Sequence, residues 1–286
     1  QIFSDNPTTW RRRTDPPNDA ADFVAYCRRH DIAPIAIHAS YLVNLAGTAE
    51  PFATQSRNML IHELRRAPEY GAYLVNAHIG SHRGMGREAG LRRIVESVNA
   101  ILAQTPEATT LVLENSAGGG DNLGSTIEEL ASMLEGVPST SVHRLAFCLD
   151  TAHLWGAGHD LSTAEGAQTV IDRFDRLIGL DRLKLVHLND SRSELGSRTD
   201  RHEHVGGGRI GPAGLRAILT DPRLAERTAF MLETPGVDEG YDAVNLRRAW
   251  LLHQGVELPE LPPRAFKLHR RSTRVAPGSA RKVSGG

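Results

Sequence analysis

Short apolar, β-branched runs alternate along this chain with longer stretches whose apolar positions recur every three or four residues. The first kind predicts strands at about 34–38 (PIAIH), 73–78 (YLVNAH), 110–114 (TLVLE), 144–150 (RLAFCLD), 183–187 (LKLVH) and 229–233 (AFMLE). The second predicts helices at about 18–30, 54–69, 86–104, 125–135, 163–179, 212–219 and 240–253. Asn18-Asp19 and Ser125-Thr126 offer side chains able to cap helix starts, and Pro51 and Pro138 mark loops. The opening QIFS reads as the latter half of one more strand, so residues upstream of Gln1 are expected.

Serial βα units predict a parallel sheet, and at 286 residues they close into a TIM (β/α)8-type barrel. The seven strand positions leave that barrel short of its first βα unit. Residues 1–262 form one barrel domain in this reading, with no repeat or internal linker. Residues 263–286 form a basic tail with too little apolar content to fold.

The residues that end the strands change the picture. In chain order they are His38, His78, Glu114, Asp150 (with His153 just beyond), His187 and Glu233. In a barrel, the C-terminal ends of all strands meet at one mouth. Singly, each has an ordinary explanation: a histidine or glutamate at a strand end hydrogen-bonds a loop, and Asp150 could tie down the Gly-rich loop expected after it. A whole succession of strands ending this way calls for another cause. Carboxylates crowded into one mouth repel and raise each other's pKa, a penalty that bound cations remove. Mixed imidazoles and carboxylates suit Zn²⁺, or Mn²⁺ or Fe²⁺, better than the oxygen-preferring Mg²⁺ and Ca²⁺. Further on, Asp200 and His202 stand at i and i+2 of an extended segment, point to one side and can share an ion. Arg192, Arg198, Arg201 and Arg209, interspersed with glycines, suit a phosphate cradle.

Composition narrows the setting. No apolar run approaches the ~20 residues that span a bilayer, and the start carries no signal-peptide pattern. Cys27 and Cys148 fall in a predicted helix and strand and read as small buried hydrophobes, not as a disulfide framework. A reducing, cytoplasmic compartment is expected, nucleoid-associated in a prokaryote. The net charge is −1, yet seven Lys/Arg and no acid lie from Arg264 onward, which leaves about −8 on the preceding residues. An acidic body that binds a polyanion must do so through a local positive field.

Six stretches together resemble one family: HASYLVNLAG, NAHIGSH, LENSAGGG, CLDTAHLWGAGHDL, HLNDSRSELGSRTDRHEHVGGGRIG and LETPG, spread in that family's order from about residue 3 to 255. The family is endonuclease IV, the zinc-dependent apurinic/apyrimidinic endonucleases of base-excision repair. The resemblance implies three zinc ions per chain. His38, His78 and Glu114 would form the first site, and Glu114 would bridge to a second completed by Asp150, His187 and Glu233. His153, Asp200 and His202 would form the third. It implies catalytic roles for Glu114 and Glu233 and a DNA contact by Tyr41, to which the phosphate-cradle reading of Arg198, Arg201 and Arg209 adds further expected DNA contacts. The implied substrate is double-stranded DNA with an abasic site, hydrolysed by a monomer at the phosphodiester 5′ to the lesion to leave a 3′-hydroxyl and a 5′-deoxyribose phosphate. Thr8 and Thr9 of NPTTW stand where the family commonly has an arginine and glutamines that probe the gap left by the base, so that role is not carried over to this loop. The competing readings are a metal-dependent sugar isomerase or epimerase on the same barrel, and a non-catalytic DNA-binding relative. The third ligand group and its arginines speak against the former, the complete ligand set against the latter.

Overall fold

The structure, a computed structural model, describes residues 1–270. Its strands are β1 (Ile35–His38), β2 (Ala72–His78), β3 (Thr110–Glu114), β4 (Leu145–Asp150), β5 (Leu183–His187), β6 (Asp190–Ser191), β7 (His202–Glu203) and β8 (Ala229–Met231). The α-helices are α1 (Ala20–Arg29), α2 (Phe52–Arg66), α3 (Arg87–Leu102), α4 (Ile127–Glu135), α5 (Thr151–Ala157), α6 (Ala164–Leu177), α7 (Pro212–Leu219) and α8 (Tyr241–His253). Six strands form a curled parallel sheet in the order β1-β2-β3-β4-β5-β8, while β6 and β7 make a small antiparallel hairpin. The opening segment flanks β1: Ile2 donates to Ala36 O at 2.9 Å and accepts from His38 N–H at 2.8 Å. Parallel order with intervening helices is the TIM-type architecture that the alternating pattern predicts.

The two faces of the sheet hold different cores, and the period of two in a strand makes them so. On the helix side, Ile37, Val75, Leu111, Leu113, Phe147 and Val186 join the main core; Phe147 meets Phe174 of α6 edge-on at 6.1 Å. On the other face Ala36, Val112, Ala146, Cys148 and Leu185 form a second, smaller core, with Leu74, Ala229 and Met231 against it. Two residues beyond these inner-face positions come the strand-end donors: Ala36 precedes His38, Val112 precedes Glu114, Cys148 precedes Asp150, and Leu185 precedes His187. Register levels them, because Glu114 lies beside His78, and His187 beside Asp150.

Several local expectations need correction. The stretch after Asp150 is helix α5, not a Gly-rich loop. Asp150 caps it by accepting the His153 N–H at 2.8 Å, and Gly158 ends it at φ 102°. Gly156 serves close approach there, since a Cβ would lie 2.9 Å from Thr199 O. Thr126 caps α4 by accepting from Glu129 N–H, whereas Asp19 makes no side-chain cap. β8 stops at Met231, and Glu233 follows in a loop because its N–H turns to Asn189 Oδ1 at 2.8 Å. The expected structureless tail begins too early at 263. Residues Ala265–Arg270 form a 3₁₀ turn in which Ala265 is buried and Phe266 packs on the His204 ring at 6.0 Å. The remainder of that tail, 271–286, lies outside the described residues. Among the described residues no helix is long and apolar enough to cross a membrane, and Cys27 and Cys148 are buried and unpaired.

Candidate metal centre

Glu114 is the hub of the strand-end cluster. Its carboxylate is fully enclosed, with Oε2 3.5 Å from His38 Nε2, and Oε1 3.7 Å from His78 Nε2, 3.2 Å from His153 Nδ1 and 3.5 Å from His187 Nδ1. Donor atoms of His38, His78 and Glu114 all lie within 4.8 Å of one another, as do those of Glu114, Asp150, His187 and Glu233. A third group under the same limit joins Asp150, His153 and His202. Asp200 enters it, with its oxygens 3.2 Å from His153 Nε2 and 3.1 Å from His202 Nε2. All nine sequence-predicted ligands therefore meet at one end of the sheet. Asp150 stands between two groups, its Oδ2 3.8 Å from His187 Nδ1 and 3.4 Å from His202 Nε2.

The histidines are oriented by their other ring nitrogens. Nδ1 of His38, His153 and His202 lies 2.7, 2.9 and 2.8 Å from the carbonyls of Ala39, Asn115 and Glu233 respectively. An imidazole that donates one N–H to a carbonyl presents a lone pair at the other nitrogen, and here that lone pair faces carboxylates. Two acceptors face to face require either protons or cations between them. Glu114 Oε1, His187 Nδ1 and His202 Nε2 are buried with no hydrogen-bond partner, which is the environment a bound cation would complete.

Without metal, protons take that place. Burial opposes charging of His153, yet Asp150, Asp200 and Glu114 outweigh it and hold its pKa well above the ordinary value. Burial likewise opposes charging of His187 and His202, and the surrounding acids raise both. Burial would raise Glu114, but His187 and His78 bring it well below the carboxylate range. His78 is lowered, by burial first. Cys148 Sγ lies close to Glu114 and His187. Burial pushes its thiol up to about 12, so it sits beneath the cluster as a protonated, apolar neighbour.

Three asparagines that the sequence reading passed over hold the ligands in place. Asn76 donates to Glu114 Oε2 at 2.6 Å, and Asn189 donates to Asp150 Oδ2 at 2.7 Å. Asn115 Oδ1 accepts from Asp150 N–H at 2.6 Å while its carbonyl orients His153. All three are buried. Their signal was adjacency, since each lies within two residues of a ligand in NAH, LEN and HLN. Asp190 was also missed; it accepts backbone N–H bonds from Ser191, Gly208, Ile210 and Gly211 and thereby ties the glycine loop to β6.

Two cavities flank the cluster. One, of about 990 Å³, is lined by Gln1, Phe3, Arg192, Arg201, Glu233 and the loop to Glu239; the other, of about 400 Å³, is lined by Asn44, Arg83, Asn115 and Arg198. Tyr41, His78, His153 and Asp200 border both. Tyr41 is 52% exposed, with its ring 5.5 Å from those of Phe3 and His38. Of the arginines read as DNA contacts, Arg201 and Arg198 each line a cavity. Arg209 lines neither and is paired with Glu194 at 2.6 Å.

The family model of xylose isomerase-like TIM barrels matches residues 1–252. A protein of Chloroflexus aurantiacus named probable endonuclease 4 is 39% identical over 259 residues, 90% of this chain and 90% of its own length. One of the same name from Geobacter sulfurreducens is 40% identical over 250 residues, covering 86% of this chain and 83% of its own. The crystal structure of endonuclease IV from Thermus thermophilus superposes with a TM-score of 0.76 at 38% identity, over 89% of this chain and 88% of that one. This chain belongs to the endonuclease IV family. Within that family its strand-end donors, orienting asparagines and paired cavities form one continuous centre. A D-tagatose 3-epimerase-like protein, 17% identical with a TM-score of 0.64 over 84% of this chain and 85% of that one, shares the fold alone.

Proposed function

We propose that this protein is a DNA-repair endonuclease that hydrolyses the phosphodiester 5′ to abasic sites in duplex DNA, leaving a 3′-hydroxyl and a 5′-deoxyribose phosphate. The observation that carries the reading is the convergence of nine imidazole and carboxylate donors, several buried without hydrogen bonds, between two cavities. Three zinc ions suit this mixed donor set. His38, His78 and Glu114 would hold the first; Glu114, Asp150, His187 and Glu233 the second; His153, Asp200 and His202 the third. When bound, such ions neutralise a phosphodiester and acidify water at neutral pH.

The chain's own groups have distinct tasks in this reading. Glu114 bridges two ligand groups through its two oxygens. Glu233, with its side chain 24% exposed and lining the larger cavity, can accept a proton from the attacking water. Arg201 and Arg198 meet the phosphates on either side, and Tyr41 fills the gap at the lesion. A nucleotide without its base loses little stacking when it leaves the helix, which favours the abasic site over intact positions. Incision of a labelled abasic duplex tests the proposal: cutting abolished by a strong chelator and restored by zinc supports it, whereas failure to cut, or interconversion of a ketose and its epimer, would point to the isomerase chemistry of related barrels.

A further inference from the structure

The smaller cavity is lined by two arginines that have no ion-pair partner among the described residues. Arg83, in the loop between β2 and α3, and Arg198, in the loop between β6 and β7, both line it. Neither guanidinium makes a hydrogen bond or ion pair among the described residues, whereas Arg87 nearby pairs with Glu129 at 2.7 Å and Arg209 with Glu194 at 2.6 Å. Both backbones are also held in an unusual state. Arg83 has φ 48° and Arg198 has φ 55°, two of three non-glycine residues with positive φ among the described residues. A non-glycine residue there is sparsely populated and persists where the surroundings impose it. For Arg198 the surroundings are visible: its N–H donates to Gly156 O at 2.9 Å, and a Cβ on Gly119 would lie 2.7 Å from its carbonyl. For Arg83 the N–H donates to Ser81 Oγ at 3.3 Å, and the next N–H, of Gly84, donates to Asp121 Oδ2 at 2.8 Å.

The space between these arginines opens onto the metal centre. Glu114, His78, His153 and Asp200 line it, and Tyr41, His78, His153 and Asp200 border the larger cavity as well. A DNA strand whose scissile phosphate lies over the donor cluster must carry its neighbouring phosphates away on each side, and successive phosphates follow within one sugar's length. We infer that this cavity is a subsite for a flanking phosphodiester of the cleaved strand, held by Arg83 together with Arg198. Arg83 is thus a substrate-positioning residue additional to the arginines of the β6–β7 loop. The inference rests on the endonuclease reading. Planar guanidinium forks are suited to phosphate oxygens, and each such contact adds about −0.9 to the slope of log K against log salt.

The test uses the zinc-loaded full chain, the Arg83→Gln variant, and duplexes in which one phosphate at a time is replaced by a neutral methylphosphonate. Arg83→Gln should raise Kd and KM for the abasic duplex about five-fold with kcat within two-fold, consistent with loss of one charge-assisted contact. Its salt slope should fall by about 0.9. At one flanking position neutralisation should weaken the wild type more than Arg83→Gln, which retains only the Arg198 contact there, and Arg83→Lys should recover part of the loss. Unchanged Kd and salt slope in Arg83→Gln, or equal methylphosphonate penalties in both proteins at every position, overturn the subsite while leaving wild-type incision intact. A wild type that cuts no abasic duplex overturns the endonuclease reading instead.

Discussion

Asn76 Nδ2 donates to Glu114 Oε2 at 2.6 Å, which fixes the plane of the carboxylate and leaves Oε1 facing His78, His153 and His187. The amide is buried two residues before His78 on the same face of β2, so a single strand supplies both a ligand and the group that aims its neighbour. Asn76→Ala should preserve the fold but lower zinc affinity and incision about 10- to 100-fold, the usual cost of losing an orienting partner. Zinc titration with a competing chelator reads this, and unchanged affinity would remove Asn76 from the centre.

His202→Ala removes a donor from the third group while leaving the sheet intact, since His202 lies in the β6–β7 hairpin outside it. Incision should fall by at least about 100-fold, more than for an orienting residue. The circular dichroism spectrum should be unchanged. An unaltered incision rate would show that the third group does not act.

The metal-free and loaded proteins should respond oppositely to pH. Burial opposes charging of all three histidines, yet Asp150, Asp200 and Glu114 raise His153, Asp150 and Asp200 raise His202, and Cys148, Glu114 and Glu233 raise His187. A histidine whose pKa rises on folding stabilises the fold fully below its unfolded value, about 6.5, and this contribution is lost as pH climbs through the raised value. In chelator, Tm should therefore decline as pH rises above about 7. With zinc, proton competition weakens over the same range and binding tightens, so Tm should hold or increase. Parallel curves in melts from about pH 6 to 9 would mean that no metal shares these donors.

Much of this was legible before the structure, for a physical reason. The strand-end residues announce themselves because period two places a ligand two positions beyond a small inner-face residue, as in Ala36–His38 and Cys148–Asp150. Parallel order then brings all such ends to one mouth. What escaped depends on contacts that spacing does not encode. Helix α5 was hidden because Gly156 and Gly158 look like loop residues, although one permits the approach of Thr199 and the other ends the helix. Asp150 was weighed as either a loop anchor or a ligand, and its two oxygens serve different neighbours: Oδ1 caps α5, and Oδ2 faces His187 and His202. The buried asparagines and Asp190 carry no periodicity of their own. Arg209 matched the pattern of a phosphate contact, yet Glu194 holds it.

Tyr41 presents a half-exposed ring that borders both cavities. Tyr41→Ala should weaken binding to an abasic duplex by about 1–3 kcal/mol, the range for a stacking aromatic, with little change in kcat. Binding to undamaged duplex should alter less. Full retention of affinity in an anisotropy titration would exclude Tyr41 from the lesion contact.

Asp190 gathers four backbone N–H groups, and burial nonetheless pushes its carboxyl up to about 6. Asp190→Asn would set an amide NH₂ against the Gly208 and Gly211 N–H groups now bonded to Oδ2. The expected loss is about 1–3 kcal/mol of stability at pH 7, from two part-buried donors left without acceptors. Urea denaturation measures it; a loss below about 0.5 kcal/mol would show that the glycine loop does not depend on this anchor.

The central claim is that nine side chains, distant in sequence, hold cations that make this mouth a nuclease. Metal content by mass spectrometry, measured on the same preparation whose incision of an abasic duplex is followed during chelation and zinc restoration, tests it most directly. The account predicts about three zinc ions per chain and activity that vanishes and returns with them. A chain that binds none, or that cuts equally well after complete metal removal, would contradict it.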